Sequence, residues 1–180
     1  MSKRGNASYR SKEITIRNAA WAAIDERFLW VRTKSNGFTT IPRCFPLISQ
    51  IMDNLETGKP LSNTYFALWC HIHDACYLEV QSVEEFVMES GFNGQRSKST
   101  WLERMRKLKE HGFIDSKKGY TGEFHHILLW NPYIIIHNLK MTSKVPEHLY
   151  LALLTRMQKI GATDIEDYEA TLLQQEPPLN

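Results

Sequence analysis

The chain has 180 residues, of which 42% are apolar and 23% charged, enough of each for one folded domain with a hydrophobic core and a soluble surface. Its longest apolar run, Ala19–Ile24, is far shorter than the roughly 20 residues that span a bilayer, so we expect no transmembrane helix and no membrane partner. Three cysteines are too few for a disulfide framework, and no apolar secretory stretch follows the basic N-terminus, so we expect a cytoplasmic protein with buried thiols.

The charged residues are unevenly distributed along the chain, although 22 basic and 20 acidic side chains nearly cancel to +2. Met1–Arg17 contains five basic residues and one acidic residue. Because this stretch has little to bury, it predicts a flexible basic arm over residues 1–16. Gly94–Lys118 contains eight basic and three acidic residues, whereas Lys140–Asn180 contains four basic and six acidic residues. The two basic stretches are therefore candidates for contact with a polyanion.

Residues 17–60 predict a segment with a helix, a hairpin and a second helix. An alanine-rich run favours a helix over about Asn18–Arg27. Asn36-Gly37 lies between two runs of aromatic and β-branched residues, which is a strong signal for a β-hairpin. Pro42 and Pro46 then precede a helix that we expect to end at about Leu55.

The segment from Leu61 to Pro132 shows the most legible order of elements: helix, strand, helix, helix and hairpin. Ser82-Val83-Glu84-Glu85 matches the capping box that begins many helices. The predicted elements are a helix from Ser62 or Asn63 to about Ala75, a strand over Tyr77–Val80, a helix from Ser82 to Gly91, a helix from Ser97 or Ser99 to Gly112, and a hairpin that turns at Gly119–Gly122 and is closed by Pro132.

This order resembles the winged helix-turn-helix superfamily. The resemblance is carried by the Ser82–Glu85 helix start, the Gly91–Gly94 turn, the Ser97–His111 helix and the Gly112–Ile114 entry into the hairpin. The run Met105–Ile114 is similar to regulators and replication-type proteins of bacterial plasmids and mobile elements. The resemblance implies an α+β fold with a winged helix-turn-helix at residues 61–137. In that superfamily the third helix enters the major groove of duplex DNA and the hairpin, or wing, touches an adjacent groove or the backbone.

A helical wheel supports the assignment of the third helix. Trp101, Leu102, Met105 and Leu108 form one apolar stripe, and basic and hydroxyl side chains fall on the other side. Cations and hydroxyl groups there suit contacts to phosphates and base edges. The residues predicted to bind DNA are Arg96, Lys98, Thr100, Arg104 and Lys107 from the helix and Lys117, Lys118 and Tyr120 from the hairpin. The alternative is an ordinary solvated helix in which Glu103 and Lys107 form an i,i+4 ion pair.

Residues 145–174 predict C-terminal helices with a set of apolar side chains at helical spacing. Two interpretations remain open for this set: it completes the domain core, or it forms the seam of a homodimer. A dimer would suit a two-fold operator, because paired reading helices contact half-sites one turn of DNA apart. The set consists of Leu149, Leu153, Leu154, Met157 and Ile160.

Metal and catalytic sites are not expected. Cys70, His73 and Cys76 could converge on one helix face, but no second ligand pair has zinc spacing. His125 and His126 follow each other on a strand and so are expected to point to opposite faces. No glycine-rich phosphate loop, nucleophile elbow or paired-carboxylate motif is present in the sequence. We therefore expect neither a cofactor nor enzymatic activity.

These patterns together predict a protein that binds double-stranded DNA and regulates transcription or replication, of a plasmid or another mobile element. The alternative is a winged-helix module that binds a protein partner within a larger assembly through its apolar C-terminal helices.

Overall fold

The computed structural model describes residues 3–21 and 23–175. These residues form an α+β fold of eight α-helices, two short 3-10 helices and a three-stranded antiparallel sheet. The chain divides into two compact units, Met1–Phe38 and Thr39–Asn180. The division falls after Phe38, within the segment of residues 17–60 that the sequence predicts.

The first unit differs most from what its sequence predicts. Helix α1 covers Lys3–Ala20, so residues 3–16 of the predicted flexible arm are helical, while Met1 and Ser2 lie outside the described residues. The predicted helix over Asn18–Arg27 is wrong, because α1 ends at Ala20; Ala22 is outside the described residues. Several good helix formers and the absence of proline suit a helix here.

The predicted hairpin around Asn36-Gly37 is also wrong, since the described part of this unit contains no strand. Gly37 does take the positive φ of 69° that the turn signal predicts. The residues before it instead form 3-10 turns at Glu26–Phe28 and Arg32–Lys34. An isolated two-stranded hairpin is marginally stable in water, so a local turn signal does not suffice without a third strand or a packed face.

The second unit contains the predicted order of elements over residues 61–132. Strands pair in the order β1-β3-β2, with β3 in the centre. The elements are α2 Phe45–Leu55, α3 Ser62–His71, β1 Tyr77–Glu79, α4 Val83–Glu89, α5 Ser97–Glu110, β2 Ile114–Gly119, β3 Gly122–Leu129, α6 Pro132–Met141, α7 Glu147–Ile160 and α8 Asp164–Gln175.

Three boundaries in this unit have clear local causes. The Ser82 hydroxyl accepts a hydrogen bond from the Glu85 backbone at 3.3 Å, which confirms one half of the predicted capping box. Helix α3 ends at His71, earlier than the predicted Ala75, because Ile72 takes an extended backbone. Pro132 does not merely close the hairpin: it begins helix α6, which the sequence reading missed.

Helix α5 packs on the core through the side that the helical wheel predicts. Trp101, Met105 and Leu108 are fully buried, and Leu102 is half-buried. This side meets the sheet, where Ile127 of β3 is also fully buried. The apolar stripe thus fixes which side of α5 faces solvent.

The C-terminal helices complete the same core. Helix α7 packs against α2, and α8 packs against α6. Leu153 and Met157 are buried within the chain, and Leu149, Leu154 and Ile160 are partly buried against the core. This placement favours the core interpretation over the dimer seam. Among the described residues, none of the helices combines the length and apolar character needed to cross a membrane.

Candidate nucleic-acid interface

Helix α5 has a flanking segment on each side, and each segment forms an ion pair with a side chain of the helix. On one side, the connection from α2 to α3 contributes Lys59, whose ammonium lies 2.5 Å from the Glu103 carboxylate. On the other side, the β2–β3 hairpin contributes Glu123, which accepts two hydrogen bonds from the Arg106 guanidinium at 3.1 and 3.2 Å. The exposed residues of α5 are Lys98, Ser99, Arg106, Lys109 and Glu110.

The predicted outward orientation of Arg104 is wrong. Only 8% of this residue is exposed. Its Nε donates a hydrogen bond to the Pro60 carbonyl at 3.2 Å, and its guanidinium lies 6.0 Å from the centre of the Phe92 ring. The helical wheel placed Arg104 only about 40° from Leu108 at the edge of the apolar stripe, and the buried arc of a packed helix is often wider than its apolar residues. The long side chain of arginine can be buried when its polar end finds a partner.

Lys107 is also engaged within the fold, because its ammonium contacts two carboxylates. Its ammonium donates to Glu110 at 2.9 Å and lies 3.2 Å from Glu56, and these hydrogen bonds raise the pKa of Lys107. Burial raises the pKa of Glu56, but hydrogen bonds from His111 and Lys107 outweigh it, so the net pKa is lowered. Among the described residues, Glu103 and Lys107 do not form the ion pair that the alternative interpretation predicts: Lys107 pairs with Glu56 and Glu110 instead. The charge of Lys107 is thus already balanced within the fold.

Thr100 and Lys98 occupy the beginning of α5 in different ways. Thr100 is half-buried, and its hydroxyl donates to the Arg96 carbonyl at 3.0 Å, so it holds the first turn of the helix. Lys98 is exposed and donates to Glu84 of α4 at 2.9 Å, a hydrogen bond that lowers the pKa of Glu84. Lys98 therefore lies at the surface with a carboxylate beside it.

Three of the predicted site residues have a charged group that no carboxylate of the described residues neutralises: Arg96, Lys117 and Lys118. All three are exposed, and within the described residues none of them has an acidic partner within 4.0 Å. Tyr120, at the hairpin turn, is 71% exposed. Its hydroxyl donates to the Gln81 side chain, and its ring lies 4.2 Å from that of His125.

A shallow groove of about 230 Å³ joins the first half of α5 to the hairpin turn. Lys98 and Arg106 contribute to its wall from the helix, and Thr121 to Phe124 contribute from the hairpin. Arg106 was predicted to point outward but was left out of the predicted DNA-binding residues. Its position on the helical wheel, outside the apolar stripe, was the signal that could have included it.

The cysteine and histidine predictions also change. Cys44 is buried, but Cys70 and Cys76 are exposed, so the expectation of buried thiols holds for one of the three. Because α3 ends at His71, the candidate ligands Cys70, His73 and Cys76 do not share a helix. The prediction that His125 and His126 point apart is wrong: their ring centres lie 4.4 Å from each other. With Glu79 they form one of two described groups able to hold a metal ion, the other being His71, Glu85 and Glu89.

The two units differ in net charge. Met1–Phe38 contains eight basic and three acidic residues, a net of +5, whereas Thr39–Asn180 contains fourteen basic and seventeen acidic residues, a net of −3. Of the two units, the first therefore carries the net positive charge, although Gly94–Lys118 of the second unit is itself a basic stretch. No protein-family model matches the chain, and no curated protein or solved structure is significantly similar to it.

Proposed function

We propose that the chain is a winged helix-turn-helix protein that binds duplex DNA and acts in transcription or replication, of a plasmid or another mobile element. In this proposal α3, α4 and α5 are the three helices of the motif, α5 reads the major groove, and the β2–β3 hairpin is the wing. The element order supports it, because it is that of the superfamily that the sequence resembles.

The observation that carries the proposal is the groove between α5 and the hairpin turn, with cations on and around it. Lys98 and Arg106 line the groove, and Arg96 lies in the turn immediately before α5. Backbone N–H groups at the start of a helix, together with nearby cations, bind phosphate well. Lys117 and Lys118 add two exposed cations from the hairpin. One stretch of DNA backbone can contact both elements in this arrangement.

The ion pairs on this surface do not prevent such contacts. Lys98–Glu84 and Arg106–Glu123 are pairs between largely exposed side chains. Exposed pairs of this kind contribute about 0–1 kcal/mol, so a phosphate can replace the carboxylate at little cost. Arg104 and Lys107 are different, because folding uses them to hold α5 to the α2–α3 connection. We therefore assign the DNA contacts to Arg96, Lys98, Arg106, Lys117 and Lys118.

Fluorescence anisotropy with duplexes selected from random genomic fragments tests the assignment. We expect Arg96→Ala and Lys118→Ala each to weaken binding and to reduce the slope of log affinity against log salt by about one. Lys159→Ala is the matched control, since Lys159 is an exposed cation on α7 without an ion-pair partner among the described residues. The proposal would be contradicted if Arg96→Ala and Lys118→Ala both bound the duplex with the affinity and the salt slope of the wild type.

The alternative function, a protein-interaction module, is favoured by a separate observation. Trp21, Phe28 and Trp30 of the first unit are each more than half exposed. Large exposed aromatic side chains are enriched in protein interfaces. The two functions differ in salt dependence: duplex binding through five or more phosphates gives a log–log slope of about −4.5 or steeper, whereas capture of a partner by apolar contacts changes little with salt.

A further inference from the structure

The bulge in β3 brings three potential metal ligands together. Lys117 pairs with His126 and Gly119 with Gly122, so β2 advances two residues while β3 advances four. A bulge of this kind interrupts the strict alternation of side chains along a strand. As a result, His125 and His126 offer one ring nitrogen each within 4.8 Å of each other and of a carboxylate oxygen of Glu79 on β1.

The hydrogen bonds of His125 prepare its other nitrogen for a cation. Its Nδ1 lies 2.8 Å from the Thr121 hydroxyl and 3.2 Å from the Val80 carbonyl oxygen. A carbonyl oxygen can only accept, so Nδ1 carries the hydrogen and donates it. Nε2 then presents a lone pair in the neutral ring, 3.1 Å from a Glu79 carboxylate oxygen. Two lone pairs at this distance repel unless a proton or a metal ion lies between them.

His126 has a similar arrangement and supplies a third ligand. Its Nδ1 lies 2.8 Å from the Tyr77 hydroxyl, and its ring stacks on the Tyr77 ring with 6.1 Å between centres. Histidines that bind metals almost always have the other ring nitrogen held by an outer partner, which fixes the ring orientation. A single proton shared by His125 and Glu79 would not involve the ring nitrogen of His126 that lies beside them. A metal ion would bind to all three side chains.

We propose that Glu79, His125 and His126 bind a divalent transition-metal ion of the Zn²⁺ class. Two imidazole nitrogens and one carboxylate oxygen are a ligand set that zinc takes, with the fourth position open to water. The donors around a tetrahedral zinc ion lie about 3.3 Å apart, given bonds of about 2.0–2.2 Å. The Glu79–His125 pair already has this spacing. The ion joins β1 to the central strand β3 next to the hairpin turn, and the proposal does not depend on DNA binding.

The test uses the full chain, freed of metal with a chelator and dialysed. ZnCl₂ is titrated in competition with a chromophoric chelator, and CoCl₂ is added separately to record visible absorption. We expect one ion per chain, intense cobalt absorption of a four-coordinate site, and a higher melting temperature with Zn²⁺. An unchanged melting temperature together with no uptake of either ion by the wild type would overturn the proposal and leave an ordinary His125–Glu79 ion pair.

Variants then assign the site. Glu79→Gln and His126→Gln should each weaken Zn²⁺ binding at least about tenfold. Glu89→Gln is the matched control, because it removes a carboxylate from the other histidine and carboxylate group and should leave affinity unchanged. Glu79 is partly exposed, so Glu79→Gln is expected to fold even if His126→Gln does not. Loss of binding in Glu89→Gln with retention in Glu79→Gln would place the ion elsewhere and overturn the assignment.

Discussion

Arg104 shows how one side chain can change its role between sequence and structure. A basic residue on a helix next to other basic residues is expected to face solvent. The helical wheel, which places Arg104 outside the apolar stripe, agreed with this expectation. The structure buries it against Pro60 and Phe92, where it joins α5 to two loops. Sequence alone could not show this, because the partner is a backbone carbonyl 44 residues away. Arg106, two residues further, remains exposed toward the groove.

We expect Arg104→Ala to lower the free energy of unfolding by about 1–3 kcal/mol, because the Pro60 carbonyl loses its donor and the buried stem of arginine is removed. Urea unfolding measures the effect. Arg156→Ala, at an exposed position on α7, should stay within about 0.5 kcal/mol of the wild type. At a temperature where both variants are folded, Arg104→Ala should bind duplex DNA better than Arg96→Ala. Wild-type stability of Arg104→Ala would show that its burial contributes nothing.

Gly119 is a position where a missing side chain matters. A Cβ atom built on it would lie 1.9 Å from Cδ2 and 2.8 Å from Cβ of His125, so the imidazole occupies the space that any other residue would fill. Gly119→Ala must therefore displace His125 or the hairpin backbone, and we expect it to cost about 1–3 kcal/mol of stability.

Thermal unfolding of Gly119→Ala, with Lys118→Ala as the exposed neighbour control, measures this cost. If His125 is a metal ligand, Gly119→Ala should also reduce Zn²⁺ affinity while Lys118→Ala leaves it unchanged. A Gly119→Ala protein as stable as the wild type would mean that the ring moves aside freely.

At the scale of elements, the ends of helices show which signals are local and which are not. The start of α4 at Ser82 could be predicted, because both partners of its cap lie within four residues. The sequence also predicts that α3 begins at Ser62 or Asn63, where Ser and Asn are good capping residues, but neither side chain caps the helix. Instead Asp53 of α2 accepts hydrogen bonds from the Leu61 and Ser62 backbones, each at 2.8 Å. A cap donated from a neighbouring helix leaves no pattern in the sequence around the helix it begins.

The contact of Glu56, which directly follows α2, with Lys107 of α5 and with His111 makes the stability of the fold dependent on pH. Hydrogen bonds from His111 and Lys107 lower the pKa of Glu56 below its ordinary value of 4.5 despite burial. A carboxyl group whose pKa is lower in the folded state stabilises the fold above the unfolded pKa, and this contribution is lost as pH falls through the folded pKa. Glu56→Gln removes it.

We therefore expect Glu56→Gln to be less stable than the wild type at neutral pH and the difference to shrink as pH falls below about 4.5. Urea midpoints measured from pH 7 to pH 3 give this difference directly. Glu110→Gln is the control, since Glu110 is exposed and pairs only at the surface with Lys107. A difference that stays constant or grows on acidification would contradict the role assigned to Glu56.

For the whole molecule, the sequence was most informative where elements pack on one another. The order of elements from α3 to β3 and the buried side of α5 could be predicted, because periodic apolar residues and turn glycines mark them. The first 38 residues could not. Their alanine run and Asn36-Gly37 are local signals without an apolar stripe to confirm them, and the structure forms a helix and 3-10 turns there. The metal ligands were missed because a bulge changes the direction of side chains without a sequence signature.

Deletion of residues 1–38 separates the stability of the fold from its charge. The buried residues of the core cluster all lie between Cys44 and Ile165, so we expect the melting temperature to change by less than about 3 °C.

The deletion also removes a net charge of +5 and leaves −3. Duplex affinity should therefore fall, with a shallower dependence on salt, because fewer counterions are released on binding. Anisotropy titrations of both proteins at 50 and 200 mM salt measure this change. Deletion of 1–38 together with Lys118→Ala should reduce the slope further, since the two basic regions act on different phosphates. An unchanged slope after the deletion would assign the interface to the second unit alone.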